Sequence, residues 1–362
     1  MSMCTDLYQW WATCIRSDRY TDHRLSVKPR DHSAADGSVV GDEWCVLVRW
    51  VHVNADPIGE VRSRPVEFNT SQNVRALTFT GNGEYPVSGD EEDVWMWRVK
   101  DGEQVARMKG GYDPVHSLAA SRNGKWIAAG TSRGLFLWDG QTYEQVLKHE
   151  EDDWIRSIDF SPDSTRLVTG TDNKTAIVWD LATGKQVQTL HHELKWVTAA
   201  KYSPRGDRIV TADPDDVRVW DSNNGRLLVD IKVTVTHWYN GSLLWFNDNL
   251  LVVARNTIKE FDASTGSKAL EWPVSDTEHH SCIALPKHEQ FIAFSSLRTV
   301  TFWDTSTHNQ LPLTLQHPED IRSIAFSPDD QILAIGGVGK KITIQSLSHI
   351  TVGAESRRLW PV

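Results

Sequence analysis

The stretch SPDSTRLVTGTDNKTAIVWD, residues 161–180, contains the pattern on which the fold depends. It opens on Ser-Pro-Asp, which is a turn signal because proline fixes φ and aspartate accepts local hydrogen bonds. Two short runs rich in Val, Ile and Thr follow, and the second ends on Trp179-Asp180. Short β-branched runs separated by turn residues predict two β-strands joined by a turn.

The same pattern recurs along the chain at a nearly constant interval. Seven anchor positions share the place of Trp179, with spacings of 41, 41, 41, 41, 42 and 42 residues: Trp97, Trp138, Trp179, Trp220, Phe261, Trp303 and Gln345. The upstream text recurs as well, since IRSIDFSPDSTRLV at 155–168 matches IRSIAFSPDDQILA at 321–334. Similarity at a fixed period indicates a repeat architecture.

Each repeat divides into four short strands. In the third repeat we predict them near 155–160, 166–170, 175–180 and 185–190. No stretch keeps a 3.6-residue apolar period over three turns, so little helix is expected. The fold class predicted from the residues is therefore all-β.

Repeats of this length that close on Trp-Asp resemble WD40 repeats, including those of fungal WD40 repeat-like proteins. The resemblance covers about residues 61–350 and implies a seven-bladed β-propeller of four-stranded antiparallel blades. We accordingly expect an N-terminal extension of low order or irregular structure (1–60), the propeller (61–350) and a C-terminal tail (351–362).

Closure of such a ring requires a fourth strand that the last repeat lacks. The residues after Leu347 make a poor strand, whereas EVRSRPVEFNTSQN at 60–73 stands just before the first repeat. We therefore predict that residues near 61–68 complete the seventh blade from the N-terminal side. Closure matters because an open ring leaves an unpaired sheet edge.

Apolar residues at alternate positions of the third strand predict packing between neighbouring blades. Val217 and Val219 illustrate the pattern, and Glu260 breaks it in the fifth repeat, where a weaker sheet is expected. The resemblance also implies a buried hydrogen-bonded set of His, Ser or Thr, Asp and Trp. When the repeats are aligned by their anchor positions, Glu193 and Pro214 occupy the His and Asp positions of the fourth repeat. We therefore expect no complete set, and blades that rely on apolar packing.

Composition narrows the possible partners. The 362 residues carry a formal net charge of -10, which disfavours a nucleic-acid groove and an anionic membrane surface. The four cysteines form no CxxC motif, so we expect free thiols in a reducing compartment. A cytoplasmic location is predicted, with the nucleus as an alternative.

Motifs for catalysis are incomplete. The segment AIGGVGKKIT at 334–343 approaches a phosphate-binding loop, but Ala334 replaces the first glycine and Lys341 replaces the magnesium-binding hydroxyl. Repeat phase places it in a turn between two strands. HExxH is absent from the sequence, and no GxSxG nucleophile elbow is predicted, because such an elbow joins a strand to a helix and little helix is expected. We therefore expect no catalytic residue, metal or cofactor.

The resemblance implies that two sets of loops gather on one face of the propeller, where family members bind proteins. Loops between consecutive blades, and turns between the second and third strands, supply the candidate protein-binding residues: Asp153, Trp154, Lys195, Trp196, Glu319, Asp320, Arg133, Asp172, Asp215 and Arg298. Trp and Arg are enriched at interface hot spots. The alternative is that Trp154 and Trp196 only fix their loops to the blades.

The function predicted is a non-catalytic scaffold or adaptor that binds other proteins as a monomeric propeller within a complex. One alternative is a substrate receptor of a cullin-type ubiquitin ligase, for which a cation two residues after the Trp-Asp pair is typical. Four repeats lack that cation: Gln141, Ala182, Asn223 and Ser306. Another alternative is a stand-alone paralogue of the WD40 sensor part of an NTPase signalling protein.

Overall fold

The computed structural model describes residues 65–109, 113–150, 153–193, 195–235, 243–254, 256–274 and 281–347. The predicted extension 1–60 and tail 351–362 lie outside these residues. Across the described ranges the chain forms seven sheets of four antiparallel strands, which confirms the all-β prediction. No described helix is long and apolar enough to cross a membrane.

Each sheet is one blade, whose strands we call a to d. Blades 1 to 3 comprise β2 (Ala76–Phe79), β3 (Pro86–Gly89), β4 (Asp93–Trp97), β5 (Gln104–Lys109), β6 (Val115–Ala120), β7 (Trp126–Thr131), β8 (Gly134–Asp139), β9 (Gln145–Glu150), β10 (Ile155–Phe160), β11 (Arg166–Thr171), β12 (Thr175–Asp180) and β13 (Lys185–His191). The four strands predicted for the third repeat are thus confirmed to within one residue.

The remaining blades follow the same order until the last. Blades 4 to 6 comprise β14 (Ala199–Tyr202), β15 (Arg208–Ala212), β16 (Asp216–Asp221), β17 (Leu227–Lys232), β18 (Leu243–Phe246), β19 (Asn249–Ala254), β20 (Thr257–Asp262), β21 (Lys268–Pro273), β22 (Ser281–Ala284), β23 (Phe291–Ser296), β24 (Thr299–Asp304) and β25 (Gln310–Gln316). Blade 7 comprises β26 (Ile321–Phe326), β27 (Ile332–Gly337), β28 (Lys341–Ser346) and β1 (Val66–Asn69).

The turn between β10 and β11 shows why the Ser-Pro-Asp text recurs. The Ser161 hydroxyl donates to the Asp163 carboxylate at 2.6 Å and accepts the Arg166 amide at 2.9 Å. Ser164 adopts a left-handed φ of 58°. These local bonds satisfy the backbone polar groups of the turn, so it can reverse the chain within a few residues.

The ring closes through the strand that comes first in the chain. β1 pairs antiparallel with β28, with Val66 opposite Ile344 and Asn69 opposite Lys341. The prediction that the N-terminal side supplies strand d of blade 7 is confirmed. The observed strand begins and ends slightly later than the predicted 61–68, of which residues 61–64 are not described.

Apolar packing joins the blades in pairs. Seven buried apolar clusters are present, and each draws its residues from two neighbouring blades, including blades 7 and 1. Val217 and Val219 are fully buried in the cluster between blades 4 and 5. Each sheet thus buries both faces against its neighbours, which a single four-stranded sheet cannot do.

Serine side chains tie the inner strands to one another around the ring. Ser117, Ser157 and Ser323 each accept at 3.0 Å an amide of the first strand in the next blade, from Ile158, Ala200 and Leu77 respectively. Ser157 and Ser323 belong to the repeated text Ile-Arg-Ser-Ile. The repeat therefore encodes a hydrogen bond between blades as well as the strand itself.

The weak point expected at Glu260 is not seen in the strand pairing. β19 and β20 pair at all six positions. The buried Glu260 carboxylate accepts the side-chain amide of Asn249 at 2.6 Å. This charge-assisted hydrogen bond offsets part of the cost of burying a carboxylate between blades.

The expectation that no repeat holds a complete hydrogen-bonded set is wrong. In blade 4, His192 Nδ1 lies 2.8 Å from Asp213 Oδ2, and His192 Nε2 lies 2.8 Å from the Thr211 hydroxyl. The Trp220 indole N–H donates to Thr211 at 2.7 Å. A neutral imidazole that donates to Asp213 and accepts from Thr211 satisfies every contact.

Alignment of the repeats by their anchor positions assigned this hydrogen-bonded set to residues that are one position too late. It pointed to Glu193 and Pro214, whereas His192 and Asp213 form the bonds. Side chains two residues apart on an extended chain project to the same side. Asp213 therefore shares the side of Thr211 and reaches the same imidazole, while the residue after it does not.

Candidate functional site

The ten predicted protein-binding residues all lie at one end of the propeller. Strands alternate in direction, so the b–c turns and the connections from strand d to the next strand a gather at the same end. We call this end the b–c face. The opposite end, formed by the a–b and c–d turns, is called the a–b face.

Ion pairs connect the loops of the b–c face to the neighbouring turns. Lys195 lies 2.6 Å from Asp215, and Arg133 lies 3.3 Å from Asp113. Arg298 lies 2.9 Å from Asp320 and 4.0 Å from Glu319. Most of these side chains are well exposed, so the pairs contribute little to the free energy of folding. Their main effect is to hold loop and turn in one geometry.

Aromatic and cationic side chains form a stack across blades 2, 3 and 4. We define the Trp154 cluster as His116, Trp154, Arg156, Asp172 and Trp196. The imidazole of His116 stacks on Trp154 at 4.8 Å with 19° between the planes. The Arg156 guanidinium lies 5.4 Å from the Trp154 ring and 5.6 Å from the Trp196 ring. Both distances suit cation–π attraction.

Asp172 fixes the guanidinium between the two indoles. Arg156 Nη2 donates to Asp172 Oδ2 at 3.1 Å, and Arg156 Nε donates to the same carboxylate. The buried Asp153 carboxylate accepts the backbone amide of Asn173, which ties the loop before β10 to the following b–c turn. Trp154, 42% exposed, therefore presents its indole to solvent from a rigid support.

His116 stays uncharged at neutral pH. Burial lowers the pKa of its ring from 6.5 to about 4, and the positive charges of Arg75 and Arg156 act in the same direction. The carboxylates of Asp172 and Glu91 oppose this shift. His116 Nε2 lies 3.0 Å from the Ser132 hydroxyl, so the neutral ring keeps a hydrogen-bond partner.

We expect the stability of the propeller to fall between pH 6.5 and pH 4 because of His116. The unfolded chain takes up a proton near pH 6.5, whereas the folded chain resists it until about pH 4. The contribution is fully present above pH 6.5 and amounts to about 2 kcal/mol after solvent screening. Urea unfolding at several pH values measures it. In His116→Gln this slope should flatten; an unchanged slope contradicts the assignment.

His116 and Arg156 complete the cluster but were not predicted as site residues. Alignment of the repeats places both in strand a, outside the loops and turns from which the candidate residues were taken. They are the second residues of β6 and β10, whose neighbours Val115 and Ile155 are buried in the apolar clusters. The alternation of sides along a strand was the signal that could have found them.

The described residues hold no group of three or more His, Cys, Asp and Glu placed to bind a metal ion. The segment that approaches a phosphate-binding loop forms the hairpin of β27 and β28. This confirms its placement in a b–c turn. The backbone of the hairpin pairs within blade 7, so its glycines serve the turn.

The family described as "WD domain, G-beta repeat" matches residues 102–139 and 309–344. The chain is a WD40-repeat β-propeller. The family described as "Nucleolar protein 10-like, N-terminal domain" matches residues 137–261 of this propeller. WD40 propellers generally act as scaffolds for protein interactions.

Several curated proteins are similar to this propeller. Periodic tryptophan protein 2 of Arabidopsis thaliana is 25% identical over 67% of the chain and 29% of its own length. Angio-associated migratory cell protein of Homo sapiens is 28% identical over 42% of the chain and 35% of its own length. A guanine nucleotide-binding protein subunit beta of Zea mays is 26% identical over 37% and 40%. The aligned regions thus span about a third of these relatives.

Proposed function

We propose that this WD40 propeller is a non-catalytic scaffold or adaptor that binds another protein through the Trp154 cluster on its b–c face. The observation that carries the proposal is the exposed Trp154 indole, which stacks on His116 and lies beside the Arg156 guanidinium. A rigid aromatic anchor loses little conformational entropy on binding, and Trp and Arg are typical hot-spot residues.

The physical chemistry of the cluster supports recognition of a protein surface. Asp172 already neutralises Arg156, so the cluster offers a flat, aromatic and nearly uncharged contact. The surrounding ion pairs, including Lys195–Asp215, form a polar rim. An apolar centre within a polar rim is the usual anatomy of a protein interface. The propeller is proposed to act as a monomer within a complex.

A nuclear location is proposed for this scaffold. The match to a family described as nucleolar is compatible with the nucleus, which was the alternative location in the sequence analysis. The cytoplasmic location draws no support from the relatives. The net charge of -10 favours protein partners over nucleic acid in either compartment.

Trp154→Ala is expected to remove most of the partner binding. Loss of a central hot-spot indole typically costs about 2 kcal/mol or more, equivalent to roughly 30-fold weaker binding. Affinity purification of the tagged full chain with quantitative mass spectrometry measures partner recovery. Folding should change little, because the side chain is 42% exposed.

Leu270→Ala is the matched control for this experiment. Leu270 is 43% exposed, but it lies on the outer strand β21, away from the b–c face. It should recover the same partners as the wild type, while circular dichroism verifies that both variants fold. Equal partner recovery by wild type and Trp154→Ala contradicts the proposal and favours the alternative that Trp154 only fixes its loop.

A further inference from the structure

A cavity of about 390 Å³ opens on the a–b face between blades 1 and 2, opposite to the Trp154 cluster. It is lined by Tyr85, Met96 and Tyr143, which are buried or partly buried, and by the exposed Arg122 and Asn123. Two phenol rings and a thioether form surfaces on which an aromatic side chain packs favourably. The volume falls within the range typical of ligand sites.

Beside the cavity, blade 2 lacks a side chain that the other blades possess at the same turn position. Gly140 lies in the c–d turn of blade 2, two residues after the anchor Trp138. The equivalent residues of the other blades all carry a Cβ: Val99, Leu181, Ser222, Ala263, Thr305 and Leu347. A Cβ on Gly140 would lie only 2.3 Å from the Gly124 carbonyl oxygen. Close approach of the two turns thus requires glycine here.

Tyr143 occupies a backbone conformation that favours glycine. Its φ is 60°, and the equivalent turn positions in blades 1, 3, 4 and 5 are glycines with φ between 66° and 74°. A bulky residue in the left-handed region is strained, and such strain clusters at functional sites. Burial, together with the nearby Tyr85 phenol, raises the pKa of Tyr143, so the Tyr143 ring remains neutral. The chain thus holds a phenol at the cavity despite the strain.

The cavity has a positive charge and no negative one. Arg122 is the only charged residue among those that line it. Arg122 is exposed and makes no salt bridge to a described residue, although it interacts electrostatically with the Asp159 carboxyl. A bound carboxylate would neutralise it, and a charge-assisted hydrogen bond to a guanidinium is among the stronger polar contacts in proteins.

We propose that this cavity binds a peptide segment of a partner protein in which an acidic residue adjoins an aromatic one. The aromatic ring packs against Tyr85 and Tyr143, and the carboxylate pairs with Arg122. The side-chain amides of Asn123 and Gln141 at the rim suit hydrogen bonds to a peptide backbone. The site lies on the face opposite to the Trp154 cluster and does not depend on the function proposed for that cluster.

A random heptapeptide library displayed on phage, selected against the full chain, tests the proposal. We expect the enriched peptides to share an acidic residue next to Phe, Tyr or Trp. A labelled enriched peptide is then titrated by fluorescence anisotropy. Arg122→Gln should weaken its binding about tenfold, which is typical of a lost charge-assisted hydrogen bond. Lys185→Gln, at an exposed cation of strand d in blade 3, should leave it unchanged.

Tyr143→Gly separates a ligand contact from a packing role. Relief of strain should offset the lost packing, so the thermal midpoint should stay near that of the wild type while binding weakens about tenfold. His308→Gly, which alters the equivalent turn position of blade 6, should leave binding unchanged. Enrichment without an acidic residue, equal binding by Arg122→Gln, or a sharp fall in the midpoint of Tyr143→Gly overturns the proposal. Displacement of the peptide by 3-phenylpropionate at equal concentration also overturns it, because the site would then suit a free aromatic acid.

Discussion

A chain that lacks residues 1–70 is expected to lose cooperative unfolding. This truncation removes β1, the only strand available to cover β28 in the structure described. It also removes Phe68, which is 3% exposed and packs in the cluster shared by blades 7 and 1. An open ring exposes an unpaired edge and apolar faces, so the product should aggregate or unfold without a sharp transition.

Point substitutions in β1 localise the effect. Phe68→Ala should lower the free energy of unfolding by about 3–5 kcal/mol, the usual cost for a buried phenylalanine. Val66→Ala, at a 46% exposed position of the same strand, should cost less than about 0.5 kcal/mol. Urea denaturation measures both. Similar stability of the two variants, or a sharp transition in the truncated chain, would show that closure does not depend on this strand.

Asp213→Ala is expected to destabilise the propeller by about 3–4 kcal/mol. The Asp213 carboxylate bonds to His192 and accepts the backbone amides of Asp215 and Asp216, each at 2.8 Å. Removal leaves the buried His192 imidazole without this partner, which costs about 1–3 kcal/mol, and it also removes the bonds that hold the turn amides of Asp215 and Asp216. The bond from Thr211 to the imidazole also depends on the tautomer that Asp213 selects.

Asp215→Ala is the matched control, since it alters the same turn but removes only an exposed ion pair with Lys195. It should cost less than about 1 kcal/mol in urea denaturation. Equal losses for the two aspartates would contradict a special role of the buried set. The comparison needs no partner protein and is therefore independent of the proposed binding function.

The contribution of Asp213 also has a defined pH dependence. Burial by itself raises the pKa of its carboxyl, but the hydrogen bonds from His192 and the backbone amides outweigh burial and lower the pKa. The stabilisation is therefore present above about pH 4 and lost as the pH falls through the lowered pKa. This pH range lies below the range in which protonation of His116 affects stability, so the contributions of the two residues can be measured separately.

Local properties of the sequence were sufficient to predict the repeated four-strand unit, from which the resemblance to WD40 repeats implied a ring of blades. Strand period, turn residues and a constant repeat length all pointed to the same unit, and agreement between levels makes such a prediction reliable. The hydrogen-bonded set of blade 4 was missed for the opposite reason. The set depends on which of two adjacent residues projects toward His192. Alignment of the repeats by their spacing does not resolve a shift of one residue.

By itself, the sequence determined the number of blades, the four-strand unit and the strand that closes the ring, because each follows from the nearly constant spacing of the repeats along the chain. Only the tertiary structure decided which side chains meet across blades. The stack of His116, Trp154 and Arg156 joins two repeats, and the cavity beside Gly140 depends on how closely two turns approach. Such contacts depend on the distances in space between side chains of different repeats, and the spacing of the repeats along the sequence gives no information about those distances.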